Sequence, residues 1–225
     1  MTNRSVLVLM LSLAACGKNN SEIKQNVRVE KDSPLHKSSL AEVPVVEHKD
    51  KMDTRVFWQI IDKANQEAAG NEEVQEAWLI HQLAVYSEAD IVEFEKLLRH
   101  TLQQADDYQV MAALKIIQGW VTDDSYLYFR CWLIGQGQAT FLAALKNPES
   151  LVEKADKGSF PSFESLLSVA DEAYSRKTGK PEEDESYPRY QAFEQGLEYD
   201  SNTAGTDWTE EQLPSLYPKL WSKFR

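Results

Sequence analysis

TDDSYLYFRCWLIGQGQATF, residues 122–141, joins three acceptor side chains to the densest aromatic and aliphatic cluster in the chain. The stretch reads as a central helix. Thr122 caps it and Asp123 and Asp124 fill its first turn, where side-chain oxygens satisfy orphan N–H groups and negative charge suits the dipole. Tyr126, Phe129, Trp132 and Leu133 recur at three- and four-residue spacing and so share one buried face. Arg130 sits inside that cluster and needs an acidic partner once desolvated. Cys131 beside it reads as a small buried hydrophobe, because no histidine lies near in sequence to lower its pKa. Gly135 and Gly137 then allow a turn, and Ala139 to Leu145 continues as a short helix ended by Asn147-Pro148. Residues 149–155 read as one or two further turns.

Four more apolar stripes precede this helix. Asp53 caps the first, which runs through Val56, Phe57, Ile60, Ile61, Ala64 and Ala68 to Gly70. Asn71 caps the second (Val74, Ala77, Trp78, Leu83, Val85). Ser87 with Asp90 resembles a capping box with the shorter acid and opens the third (Ile91, Phe94, Leu97, Leu98, Leu102). Asp106 or Asp107 opens the fourth (Val110, Met111, Leu114, Ile117, Trp120), with Gly119 at its fraying end. Downstream, Ser162 is expected to cap a last long helix carrying Phe163, Leu166, Leu167, Ala170, Ala173 and Tyr174 and ending at Gly179. No strand alternation is visible. The fold class is therefore all-α, a single compact bundle of about six to seven helices over 52–179, with antiparallel or sharply angled neighbours because the linkers are short. Residues 180–225 differ in character. Between 180 and 211 stand ten acidic and two basic residues interleaved with Tyr187, Tyr190, Phe193, Tyr199 and Trp208. A solvated acidic tail has little use for such rings, so a mostly irregular extension with short helical turns, docked on the bundle through its aromatics, is expected.

The amino terminus has a separate logic. Arg4 precedes the apolar run VLVLMLSL, residues 6–13, followed by Ala14, Ala15 and Cys16. About ten apolar residues are too few for a transmembrane helix, so 1–15 reads as a cleaved signal peptide. Leu13 to Cys16 resembles the lipobox of bacterial lipoproteins. That resemblance implies diacylation of Cys16, cleavage before it, and acylation of the new amine; the alternative is a plain secretory signal containing a cysteine. Several acyl chains hold a protein on a bilayer where one is marginal. The resemblance places the chain in a bacterial cell envelope, and Gly17, standing where an aspartate would favour inner-membrane retention, favours the outer membrane if the source is Gram-negative. Residues 16–51 read as the lipidated, disordered tether, able to reach roughly 110 Å when extended and averaging roughly 30 to 35 Å. His36 and His48 in this tether make a poor metal site. Of two cysteines only Cys131 remains unlipidated, so no intrachain disulfide staples the domain.

The formal net charge is −12, and losing Arg4 with the signal makes it more negative. Residues 17–50 carry six basic and six acidic side chains, so the folded part holds the whole deficit. A surface of that sign repels nucleic acid and anionic headgroups and favours a basic protein partner or a cationic ligand, although acidic surfaces also serve solubility alone.

Four stretches, FWQIIDKA (57–64), DDSYLYFRCWLIGQGQATF (123–141), NPESL (147–151) and ESLLSVADEAYSRKTG (164–179), resemble the bacterial family known as domain of unknown function 4240. Ser125 stands where the family commonly has glycine. The resemblance implies a compact helical domain without an assigned activity and supplies no catalytic residues.

Asp123, Asp124, Arg130 and Glu164 form the most interesting polar group. The acids could bind a cation or an amine, and Arg130 a carboxylate; the competing reading is N-capping plus an internal ion pair, Arg130 with Glu164. His81 and His100 lie on separate helices without metal-ligand spacing, so no metal is expected. No phosphate loop, nucleophile elbow or calcium loop is present in the sequence pattern, and no cofactor is expected. Three functions stay open: a membrane-anchored adaptor or immunity-like module binding a basic protein; an envelope enzyme acting through Asp123, Asp124, Arg130 and Glu164 with His81; and a structural lipoprotein without a specific ligand.

Overall fold

The computed structural model describes residues 51–225. The signal segment, Cys16 and nearly all of the tether lie outside the described residues. Within them every regular element is helical.

The caps read from sequence organise the first half. In α1 (Thr54–Ala68) the Asp53 carboxylate accepts from Val56 N at 2.8 Å. Asn71 does the same for α2 (Glu72–Leu83). Ser87 caps α3 (Glu88–Gln104), but the return bond of a capping box is absent. The Asp90 carboxylate instead accepts the Met52 N–H at 2.9 Å and so ties the start of the domain to α3. Asp107, not Asp106, caps α4 (Tyr108–Gln118).

The central helix α5 (Asp123–Gly135) starts at Thr122 with a full capping box: Ser125 donates its N–H to the Thr122 hydroxyl and accepts the Thr122 N–H. A glycine at 125 would lack the second bond. Phe129 stacks on Trp132 at 5.5 Å between centroids, and α5 packs against α1, α3, α4 and α6 (Gln138–Lys146). Around it Phe57, Phe94, Phe129 and Phe141 are fully buried, as is Cys131, whose thiol is pushed well above its usual pKa by that burial. It is no nucleophile.

Gly135 was expected in a turn, yet it closes α5 in helical geometry. Its role is close approach: an added Cβ would stand 2.7 Å from the Phe163 ring. Gly137 does make the turn, at φ 91°, and offers no side chain to cap α6. Asp62 of α1 supplies that cap from across the core, accepting Gln138 N at 2.8 Å, and an added Cβ at 137 would sit 2.6 Å from the same oxygen. Gly137→Ala is therefore expected to destabilise the protein by about 1–3 kcal/mol through combined backbone strain and displacement of Asp62. Urea unfolding of the full chain measures this, and an unchanged midpoint would show that the cap adapts.

Two expectations need correction. The helix count exceeds six to seven: ten α-helices are present among the described residues, together with 3-10 turns at Pro148–Glu153, Glu164–Leu167 and Glu210–Gln212. The single long helix after Ser162 is instead the turn Glu164–Leu167 followed by α7 (Val169–Thr178), and Ser162 caps neither. Phe163 N bonds Tyr128 O at 3.2 Å, so pairing with α5 replaces a cap there and the chain enters α7 one turn late.

Beyond α7 the chain is more helical than expected, with α8 (Pro188–Phe193), α9 (Leu213–Leu216) and α10 (Pro218–Phe224). It docks through aromatic side chains and through backbone. Tyr187, Tyr217 and Phe224 are buried, and Trp208 Nε1 donates to Tyr108 O at 2.7 Å. Ala204 exchanges backbone hydrogen bonds with Asp106 and Tyr108 as a short parallel bridge. Lys223 Nζ donates to the carbonyls of Val152 and Ala155 at the C-terminal end of the 3-10 turn Pro148–Glu153.

Candidate functional site

Arg130 is 1 % exposed and does not meet Glu164. Its guanidinium donates to Leu102 O, Tyr199 O and the Asp200 carboxylate, lies 3.8 Å from the Asp106 carboxylate, and stacks over the Tyr126 ring at 4.7 Å. Asp106, itself 3 % exposed, accepts the N–H and hydroxyl of Ser201. The expected internal ion pair exists, with carboxylates the sequence did not single out. Those partners take up both Nη atoms, and Nε is buried without a hydrogen-bond partner, so no face of the guanidinium is open to an outside carboxylate.

A second buried arginine repeats the device. Arg99 bonds Glu95 through Nε at 2.7 Å, donates to Leu197 O and Arg189 O, and stacks on Tyr199 at 4.1 Å. The Tyr199 hydroxyl donates to the same Glu95 carboxylate at 3.0 Å. Burial pushes the Glu95 carboxyl above its ordinary pKa despite Arg99, and its Oε2 is buried without a hydrogen-bond partner. A signal for this pair existed in the sequence: Glu95 and Arg99 fall on the apolar stripe of Ile91, Phe94, Leu98 and Leu102 with i,i+4 spacing.

The two arginines hold residues 197–201 in place, and that placement opens a cleft. It measures about 1100 Å³ and is lined by Glu72, the turn Glu164–Leu167, Asp171, Arg189, Tyr190, Phe193 and Glu198. Arg189 is paired with Asp171 at 3.1 Å, and Phe193 is 60 % exposed. Partial withdrawal from water raises the Glu72 carboxyl pKa, although the residue as a whole is exposed.

Of the residues singled out in advance, Glu164 lines this cleft. The acids Glu164, first, and Asp124 lie near enough to the Tyr128 phenol to raise its pKa. Asp123 and Asp124 are exposed in the first turn of α5. His81 stands in the last turn of α2 with Nε2 buried and unbonded. Among the described residues no group of three His, Cys, Asp or Glu side chains is arranged to hold a metal ion. Beside the cleft lies an apolar hollow of about 340 Å³ lined by Gln118, Trp120, Ser125, Tyr128, Phe160 and Pro161.

A family described as "Protein of unknown function (DUF4240)" matches residues 52–176. The chain belongs to that family. No curated protein and no solved structure matches it. Of the cleft's lining, the DUF4240 segment supplies Arg99, Glu72 and Glu164, whereas Arg189, Tyr190, Phe193, Glu198 and Tyr199 follow it. The cleft is thus assembled across the seam between the family domain and this chain's own extension.

One polar cluster had no sequence signal. Lys180 Nζ lies within hydrogen-bond reach of the Tyr174 hydroxyl, Ser186 Oγ and Glu88, and the Tyr174 hydroxyl bonds both Ser186 and Glu88. The Tyr174 hydroxyl and Glu88 hold Lys180 cationic by raising its pKa, so it is a poor base for Ser186. The cluster fastens the 180–186 loop to α3 and α7.

Proposed function

We propose that the protein is a lipid-anchored lipoprotein of the bacterial cell envelope whose helical domain binds a basic protein partner, as an adaptor or immunity-like module. The observation that carries the binding half is the open, acid-rimmed cleft with exposed aromatic side chains at its edge. The anchoring half is supported by the sequence Leu13 to Cys16 after a short apolar run. No helix among the described residues is long and apolar enough to cross a membrane. The enzymatic alternative would need Asp123, Asp124 and Glu164 to act without Arg130, whose guanidinium is engaged internally, and no observation favours it over binding.

Labelled palmitate is expected to enter the wild-type protein and not the Cys16→Ser variant, which should move from the membrane to the soluble envelope fraction. Equal partitioning of the two would remove the anchor from the proposal. Chemical crosslinking in intact envelopes should capture a basic protein at low ionic strength and lose it near 1 M salt, where the Debye length falls to about 3 Å. Capture that ignores salt, or none, counts against an electrostatic partner.

A further inference from the structure

The cleft and the apolar hollow meet at Ser162, which lines both. The two adjoin at that residue, cleft and hollow making up one path. In the hollow Trp120 is 48 % and Phe160 66 % exposed, and in the cleft Phe193 is 60 % exposed. Bulky apolar side chains left open on one path are a mark of contact surfaces. The charge along that path is one-sided. Arg99 is paired with Glu95 and Arg189 with Asp171, whereas Glu72, Glu164 and Glu198 carry no ion pair among the described residues.

We propose that this path is the docking site for a cationic peptide segment of the partner, with an arginine or lysine side chain seated against Trp120 and Phe160 beside Glu164. The inference rests on the partner-binding reading above and names where and how that binding occurs. A guanidinium laid on an aromatic face is held by the ring quadrupole, and the attraction grows as water is excluded. Tyr128 lines the hollow and Glu164 the adjoining cleft, and the Glu164 carboxylate stands close enough to raise the Tyr128 phenol's pKa, which sets an acid next to that seat. Glu72 is already penalised for its charge by the cleft wall, so an incoming cation there gains more than at a fully solvated acid. Charge complementarity separates the occupants. Residues 17–50 carry equal numbers of basic and acidic side chains and have no net attraction to the path, whereas a basic segment does.

The test uses the full chain in detergent micelles and a fluorescein-labelled peptide alternating arginine with leucine, followed by anisotropy at low salt. A glutamate–leucine peptide and an unlabelled peptide of residues 17–50 serve as controls. The double variant Trp120→Ala with Phe160→Ala, and the triple variant Glu72→Gln, Glu164→Gln, Glu198→Gln, alter only partly or fully exposed side chains; unchanged melting curves confirm that both fold. Binding of the arginine peptide to wild type, about tenfold or more weaker in each variant, is the expected result. The proposal is overturned if the arginine peptide does not bind, if both variants bind it as wild type does, if the glutamate peptide binds equally, or if the 17–50 peptide displaces it. Envelope crosslinking with the same variants separates the two levels. Equal capture by wild type and variants removes the path and leaves partner binding standing. Peptide binding as expected with no envelope partner leaves the path and removes the broader reading.

Discussion

Replacing Arg130 by methionine is expected to destabilise the folded protein by about 3–5 kcal/mol, the range for breaking a buried ion pair from one side. Methionine fills much of the same space, so the loss comes chiefly from charge. Asp106, 3 % exposed, would stay buried with only the Ser201 N–H and hydroxyl for company; the Tyr199 carbonyl would lose the Arg130 donor, and the Leu102 carbonyl would keep only the Ala105 N–H. Asp200 would suffer little, because it is largely exposed. Urea unfolding gives the single-variant effect. The double variant with Asp106→Asn then separates causes: if the stranded carboxylate dominates, it recovers much of the loss, and the two substitutions are strongly non-additive. Strict additivity would mean that the guanidinium acts through its carbonyl and ring contacts alone.

Ending the chain after Gly179 is expected to abolish cooperative folding, although the missing part lies beyond the family match. Tyr187, Leu213, Leu220 and Phe224 are buried in the intact chain. At about 1.5–3 kcal/mol for each such side chain, their removal costs on the order of 10 kcal/mol, comparable with the whole stability of a domain of this size. Both arginine devices fail with them. Glu95 and Arg99 lose Tyr199, and Arg130 and Asp106 lose Asp200 and Ser201. Near-ultraviolet circular dichroism and thermal melting read this directly. A sharp transition in the shortened chain would show that the family segment folds alone and that the extension is an accessory.

The same contacts show why the site could be read only in part. The sequence suggests Glu164 as the partner of Arg130, whereas Glu164 lines the cleft near Tyr128. The reason is directional. Arg130 and Tyr128 are two residues apart on α5 and so point to different faces of the helix, one toward α3 and the extension, the other toward the turn Glu164–Leu167. Sequence spacing gave Arg130 a need for an acid and no way to choose among thirty-six.

Periodicity and capping chemistry are local, so the chain itself settles them: Thr122, Asp53, Asn71, Ser87 and Asp107 each bond an N–H within three residues, and the stripes they open bury one face whatever the neighbours are. That was enough for an all-α fold and for the burial of Cys131. Contacts between residues far apart in sequence obey no period. Asp62 capping α6, Asp200 and Ser201 closing around Arg130 and Asp106, and Tyr199 bridging Glu95 to Arg99 depend on where packing brings the extension. The cleft exists only because those distant pairs form.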